Sequence, residues 1–384
     1  MVDQTAQAGA QVAGLPFTIA SRVSKRQSFV ISNVALAASA PVLPAGTPVQ
    51  IPAVGYLKNL RLEVTATITG GTPSFTADAP WNLIQNVAFK NSAGQNLVAP
   101  LTGYEWYIVN KYDGTGAGVT TPYGRLQDAK IGRQYVATAA SSVHFFLDIP
   151  LEFDASQALG AIPALASNRS YQLEITFAPI ATVFGATTPP TGVNVTVDAT
   201  ANYWDQPIGQ TPGGVVQSTE PFGLGTLSLW QKENPPIAPG EQLTRSNNTG
   251  NIIRNLIYIA RTSAGVRTDT DWTSIAELFV DNNPMLRYKK TEWQDDMVRQ
   301  YGLDASSLDA AGGLDTGVYV IPFHLLAGGT AGDPGNSRAQ LLATLDATLL
   351  QLKGYSWGAG LAGGQLTVLT QAIAADNSAF VYSK

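Results

Sequence analysis

A small set of residues in this chain has the type and spacing for chemistry. Asp315-Thr316-Gly317 matches the triplet that supplies each carboxylate of an aspartic protease. That reaction needs two carboxylates sharing one proton. The corresponding region of the first half has no second triplet, and Asp113-Gly114-Thr115 stands in a different place. The triplet therefore reads as a turn before a strand at Val318–Ile321, the ordinary loop use of Asp and Gly. The two histidines, His144 and His324, each sit in a strand pattern, and neither belongs to a His-x-His or His-Glu-x-x-His spacing. Metal ligation and general-base catalysis draw on such clusters, so both histidines read as structural.

Glu292, Asp295 and Asp296 have helical spacing that puts Glu292 on one face with Asp295 or Asp296. Lys289, Lys290 and Arg299 surround them, which favours a solvated, salt-paired face over a divalent-cation site. Gly328-Gly329 and Asp333-Pro334-Gly335-Asn336 resemble a phosphate or calcium loop. They lack the Lys-Ser/Thr of a P-loop and the acidic ladder of an EF-hand, so a surface loop is the better reading. Cysteine is absent, which removes disulfides, thiolate metal sites and Cys nucleophiles together. The seven tryptophans read as core or subunit-interface anchors, with an aromatic platform for sugars as the sharper alternative. No catalytic residue, cofactor or metal is expected.

Composition narrows the classes further. Only 13% of the 384 residues are charged and 45% are hydrophobic, against about 25% charged in typical globular proteins. A surface poor in Lys and Glu suits a protein that packs against copies of itself, because interface cores are depleted in both. The net charge of −5 argues against nucleic-acid binding, which needs a basic face. The start Met1-Val2-Asp3-Gln4 lacks the basic and apolar regions of a signal peptide. No apolar run reaches the roughly 18 residues of a membrane span.

The elements that position these residues are mostly strands. Leu60, Leu62, Val64, Ala66 and Ile68 alternate with Arg61, Glu63, Thr65 and Thr67. Similar rows run through Phe145–Phe153, Tyr171–Phe177 and Val193–Val197, each the pattern of a half-buried antiparallel strand. Two segments break the pattern. Thr102-Gly103-Tyr104-Glu105 forms a capping box with Leu101 and Trp106 placed as a staple, predicting a helix over 103–112. A second helix is predicted from Pro284 to Gly302, with Trp293, Met297 and Tyr301 at four-residue spacing.

The chain also repeats itself. Pro41 and Gly46 match Pro235 and Gly240, Lys58-Asn59-Leu60 matches Arg254-Asn255-Leu256, and the strand at Phe89 matches that at Phe279. Glu105-Trp106 matches Glu292-Trp293, Ile149-Pro150 matches Ile321-Pro322, and Asn168-Arg169-Ser170 resembles Asn336-Ser337-Arg338, all in the same order. So long a period means a duplicated domain and not a solenoid. The expected organisation is an N-terminal arm over 1–26, a first domain over 27–205, a linker over 206–221 and a second domain over 222–384. The fold class is all-β. Each domain is an eight-stranded antiparallel jelly roll, two sheets face to face, with a short helix inserted after the fourth strand or so.

The chain resembles, over its whole length, the tectivirus-type double jelly-roll major capsid proteins. The resemblance is carried by Tyr56-Leu57-Lys58-Asn59-Leu60 leading into the strand Leu62–Ile68, by Asn82–Val87, by Ile149-Pro150-Leu151, by Asn168-Arg169 before Tyr171–Phe177, and by the helix in each half. It implies a structural protein without enzymatic activity, made in the host cytoplasm and built into the virion capsid. Three chains would form a pseudo-hexagonal trimer tiling an icosahedral shell, in contact with neighbouring trimers, penton and minor capsid proteins and an internal lipid membrane. The N-terminal arm would lie inside, with Arg22, Lys25 and Arg26 near lipid. Tyr104, Trp106, Trp293 and Tyr301 on the two helices are the candidates for subunit contact. The competing readings are a carbohydrate-active or deglycosylating enzyme on two jelly rolls, a duplicated cupin and a cell-surface adhesin. The first needs a carboxylate pair in a cleft, the second clustered histidines, the third a signal peptide.

Overall fold

The computed structural model describes residues 14–374 except 72, 113–139, 156, 166–169, 186–187, 222–223, 302–314 and 327–340. The first half carries β1 (Val23–Ala35), β2 (Val49–Gln50), β3 (Gly55–Thr69), β4 (Ile84–Lys90), β5 (Asn96–Leu101), β6 (Ala140–Pro150), β7 (Ile162–Ala164), β8 (Gln172–Phe177) and β9 (Gly192–Trp204). The second half carries β10 (Leu227–Glu233), β11 (Pro236–Ile237), β12 (Gly240–Ser246), β13 (Ile252–Arg261), β14 (Ile275–Val280), β15 (Asn283–Lys289), β16 (Val318–Pro322), β17 (Leu342–Ala343), β18 (Leu350–Trp357) and β19 (Gly364–Ala374).

The two halves have one topology. The first pairs β1-β9-β3-β6 in one sheet and β2-β8-β4-β5 in the other; the second pairs β10-β19-β13-β16 and β12-β18-β14-β15. β7, β11 and β17 add short extensions. This is a double jelly roll. The register bears out two of the equivalences read from the sequence, while Asn168-Arg169 and Asn336-Ser337-Arg338 lie outside the described residues. Asn59 lies opposite Pro150 and Asn202, as Asn255 lies opposite Pro322 and Gln371. Even the irregularity repeats, between Leu57 and Asn59 and between Ile253 and Asn255. The alternating rows face as expected: Leu60, Leu62, Val64, Ala66 and Ile68 are buried, and Thr65 and Thr67 point to water.

The helix Gly103–Tyr112 follows β5, and Lys290–Tyr301 follows β15, so each insertion comes after the fifth jelly-roll strand and not the fourth. The predicted capping box forms: Thr102 N–H donates to Glu105 Oε2 (2.8 Å) and Glu105 N–H donates to Thr102 Oγ1 (3.2 Å). The second helix begins later than Pro284 suggested. Asp281 and Asn282 take positive φ (48° and 65°), the conformation of a two-residue hairpin turn. That turn sends residues 283–289 back along β14 as an edge strand, where proline is tolerated.

Residues 14–26 of the expected arm do not stand apart from the first domain, and residues 1–13 lie outside the described residues. β1 starts at Val23, with Lys25 opposite Asn202 and Arg26 opposite Ala201. Leu15 N–H donates to the Val216 carbonyl and Ser218 N–H to the Leu15 carbonyl, both at 2.9 Å. Phe17 packs edge-on to Tyr56 and Trp204. From Leu15 onward the segment therefore belongs to the first jelly roll and to the inter-domain stretch. Ladder hydrogen bonds and an aromatic anchor outweigh its weak alternation.

Candidate functional site: the seam between the two jelly rolls

The two halves meet where β5 runs beside β10 and where the first inserted helix lies against the second half. Lys111 Nζ sits 2.7 Å from Asp315 Oδ2, and the two side chains are 1% and 0% exposed. Tyr112 donates its hydroxyl to Asp315 Oδ1 at 2.9 Å. Burial, then the Asp315 charge, pushes the Tyr112 phenol well above its usual range, so it stays a donor. Tyr301 of the second helix donates to the Tyr112 carbonyl at 3.3 Å. Further along the seam, Asp78 pairs with Arg261 and Arg267, each at 2.7 Å. Arg267 also donates to the Ala77 and Thr316 carbonyls and stacks 4.5 Å above the Tyr104 ring, a cation–π contact. Glu105 pairs with Lys232 of β10 at 2.5 Å. A groove of about 530 Å³ opens here, lined by Asp78, Glu105, Lys232 and Arg261 among others. Its four charges face one another in pairs, Asp78 with Arg261 and Glu105 with Lys232.

The residues weighed for chemistry take unrelated places. Asp315 starts the predicted turn before β16, with Gly317 at φ +71°. It serves the seam and not a catalytic dyad. His144 on β6 contacts Glu63 at 2.8 Å. His324 lies in the helical turn Phe323–Leu326, beyond the strand expected for it. Burial, reinforced by the Arg254 charge, pushes it down to about 2, so it stays neutral. Glu292 and Asp295 are exposed, and Asp295 pairs with Arg299 at 2.7 Å. Partial burial and the charges of Glu292 and Asp295 raise Asp296. Among the described residues no group of three His, Asp or Glu could hold a metal. The glycine loops at 328–336 lie outside the described residues. All seven tryptophans are buried, which removes the sugar platform.

The subunit-contact candidates are buried within the single chain. Tyr104, Trp106, Trp293 and Tyr301 are at most 2% exposed within the single chain. Their surface is spent inside it, because the helices carry the aromatics that seal each jelly roll and the seam. Arg22, Lys25 and Arg26 are exposed, the latter two on β1. The structure also shows a carboxyl that sequence reasoning missed. Glu152, just past β6, accepts from the Trp204 indole at 2.5 Å and sits 3.6 Å from Lys58. Burial pushes it up to about 7 against the pull of Lys58. Its place in the alternating row Phe145–Phe153 carried no sign of this, since Glu there reads as solvent-facing.

Equivalent elements of the two halves differ in exposure. Every residue of the helix Gly103–Tyr112 is buried, whereas Lys290–Tyr301 buries only Trp293, Met297 and Tyr301. β10 has no exposed residue, but its counterpart β1 exposes Val23, Lys25, Arg26, Val30, Ser32, Asn33 and Ala35. β5 buries Val98 and Leu101, and its counterpart β15 buries nothing.

No protein-family model matches the chain, and no curated protein matches it. Solved structures do. The major capsid protein of STIV aligns with a TM-score of 0.61 at 13% identity, over 94% of this chain and 100% of that one. The atomic structure of Sulfolobus Turreted Icosahedral Virus gives 0.59 at 13% identity, over 92% and 91%. The PBCV-1 virus capsid gives 0.54 at 13% identity, over 92% and 94%. At such identity the likeness establishes the fold. The chain is a double jelly roll of the kind found in viral major capsid proteins.

Proposed function

We propose that this chain is the major capsid protein of an icosahedral virus. It acts without enzymatic chemistry, and three copies close into a pseudo-hexagonal tile of six jelly rolls. The observation that carries this reading is the paired topology of the two halves together with the open counterparts of the seam. A duplicated unit that covers one set of edges internally and leaves the equivalent set bare is built to continue around a ring. Bare edges are an aggregation hazard, and a surface with 13% charged residues has little charge to protect them. Closure by neighbours meets that need. A three-fold contact is heterologous, joining one flank of a chain to the opposite flank of the next. Tiles would then meet one another, penton and minor capsid proteins and, on the inner side, a lipid membrane.

Light scattering on the eluted species tests the tile. The expected mass is three times 40.5 kDa, with hexagonal outlines in negative-stain images. A monomer at micromolar concentration refutes it.

A further inference from the structure

Resting on the tile reading, we propose that β15 and the outer face of the helix Lys290–Tyr301 of one copy pack on β1 of the next. They would do so as β5 and the first inserted helix pack on β10 within the chain. The register defines the equivalences. Lys25 faces Asn202 and Trp230 faces Gln371, and Asn202 and Gln371 lie opposite the matched Asn59 and Asn255. Lys25 therefore corresponds to Trp230, Val23 to Ser228, and Gln27 to Lys232. Ser228 and Trp230 are buried at the seam, while Val23 and Lys25 are exposed. Two strands away in the same sheet, Arg61 and Glu63 of β3 stand half-buried where β13 of the second half has the buried Ile257 and Ile259. The unpartnered surface matches the covered one in position and is more polar, as suits a contact that forms after folding.

The charges agree. Glu105 of the first helix pairs with Lys232 across the seam. Its counterpart Glu292 is exposed on the second helix beside Asp295. On β1 the cation next to the Lys232 counterpart is Lys25, two residues earlier and so on the same strand face. Arg26 and Arg22 flank it. The second helix presents Glu292 and, paired with Arg299, Asp295, and the start of β1 presents the cations to meet Glu292. The occupant is a second copy of this chain, and the basic cluster at Arg22, Lys25 and Arg26 belongs to that contact.

The chain has no cysteine, which makes crosslinking unambiguous. In the double variant Val23→Cys/Met285→Cys, both sites are half exposed in the single chain (53% and 50%). A short bismaleimide should give a covalent trimer. An equimolar mixture of the two single variants should give covalent dimers and nothing larger. Lys25→Glu and Glu292→Lys should each raise the trimer dissociation constant at least tenfold, and Lys25→Glu/Glu292→Lys together should recover most of it. Circular dichroism checks that each variant is folded. A trimer by light scattering that yields no crosslink and ignores both charge reversals overturns the proposed contact while leaving the tile reading intact. A wild-type monomer overturns both. If Lys25→Glu leaves the trimer unchanged but abolishes sedimentation with phosphatidylglycerol vesicles, the basic cluster serves a membrane and the proposal fails.

Discussion

Two buried ionisable sites show how this chain spends charge. Lys111 and Asp315 are fully enclosed at the seam, so each depends on the other. Removing one partner of a buried pair costs roughly 3–5 kcal/mol, because the survivor is left uncompensated. Lys111→Met and Asp315→Leu should each lose that much in urea unfolding. The double variant should lose less than either, since apolar replacement of a whole buried pair is often tolerated. Glu152 behaves differently. Its carboxyl is pushed up from 4.5 to about 7, so the folded chain binds a proton that the unfolded chain releases between those values. The stabilisation is fully present below pH 4.5 and is lost as pH rises through about 7. The gap corresponds to a few kcal/mol, on the order of 3. Thermal melts of Glu152→Gln between pH 5 and pH 8 should therefore be flatter than those of the parent chain. An identical slope in both would show that Glu152 does not carry the dependence.

At the level of elements, the two inserted helices are structurally equivalent and energetically distinct. The first is enclosed on every side, while the second rests on one aromatic stripe. Trp293 donates its indole N–H to the Val320 carbonyl at 2.7 Å and stacks on Tyr288 with ring centroids 4.7 Å apart. Tyr107 of the first helix stacks on Trp81 with ring centroids 3.8 Å apart. Truncating a buried tryptophan to alanine costs about 3–5 kcal/mol. Trp106→Ala and Trp293→Ala should lower the unfolding midpoint accordingly. The molecules that remain folded should keep the parent mass on light scattering, because both rings are buried within the single chain. Selective dissociation without a loss of stability would return these aromatics to the subunit contact.

For the whole molecule, the described part of the N-terminal segment is tied to the body of the first jelly roll. Leu15 bridges the 206–221 stretch and Phe17 packs on Tyr56 and Trp204, so these residues help hold the first jelly roll. Deleting residues 1–13 should leave a soluble trimer that assembles into incomplete shells. Deleting 1–26 should also strip the start of β1, taking Lys25 and Arg26 from their ladder partners Asn202 and Ala201, and lower the melting temperature by several degrees; losing the anchor and one strand end amounts to a few kcal/mol. Electron microscopy of the assemblies and calorimetry of the two truncations separate the roles. Equal stability of both truncations would return residues 14–26 to a free arm.

The chain's own order of residues determined the all-β class, the duplication and the first helix with its cap. These rest on local signals: period-two burial, a side chain three residues from its partner amide, and Asn59 and Asn255 in matching settings. The absence of metal-ligand and nucleophile patterns was equally local. Tertiary structure decided the rest. The turn at Asp281-Asn282 converts residues 283–289 into an edge strand because β14 is there to pair with them, against a proline that favours a helix start. The first helix is buried on all sides because a second jelly roll, more than a hundred residues on, closes over it. Asp315 became an ion-pair partner because the fold brings it to Lys111. Alternation shows that a residue faces inward or outward. It does not show that outward on one half is the seam and outward on the other is open, since that difference arises only when the two copies are placed side by side.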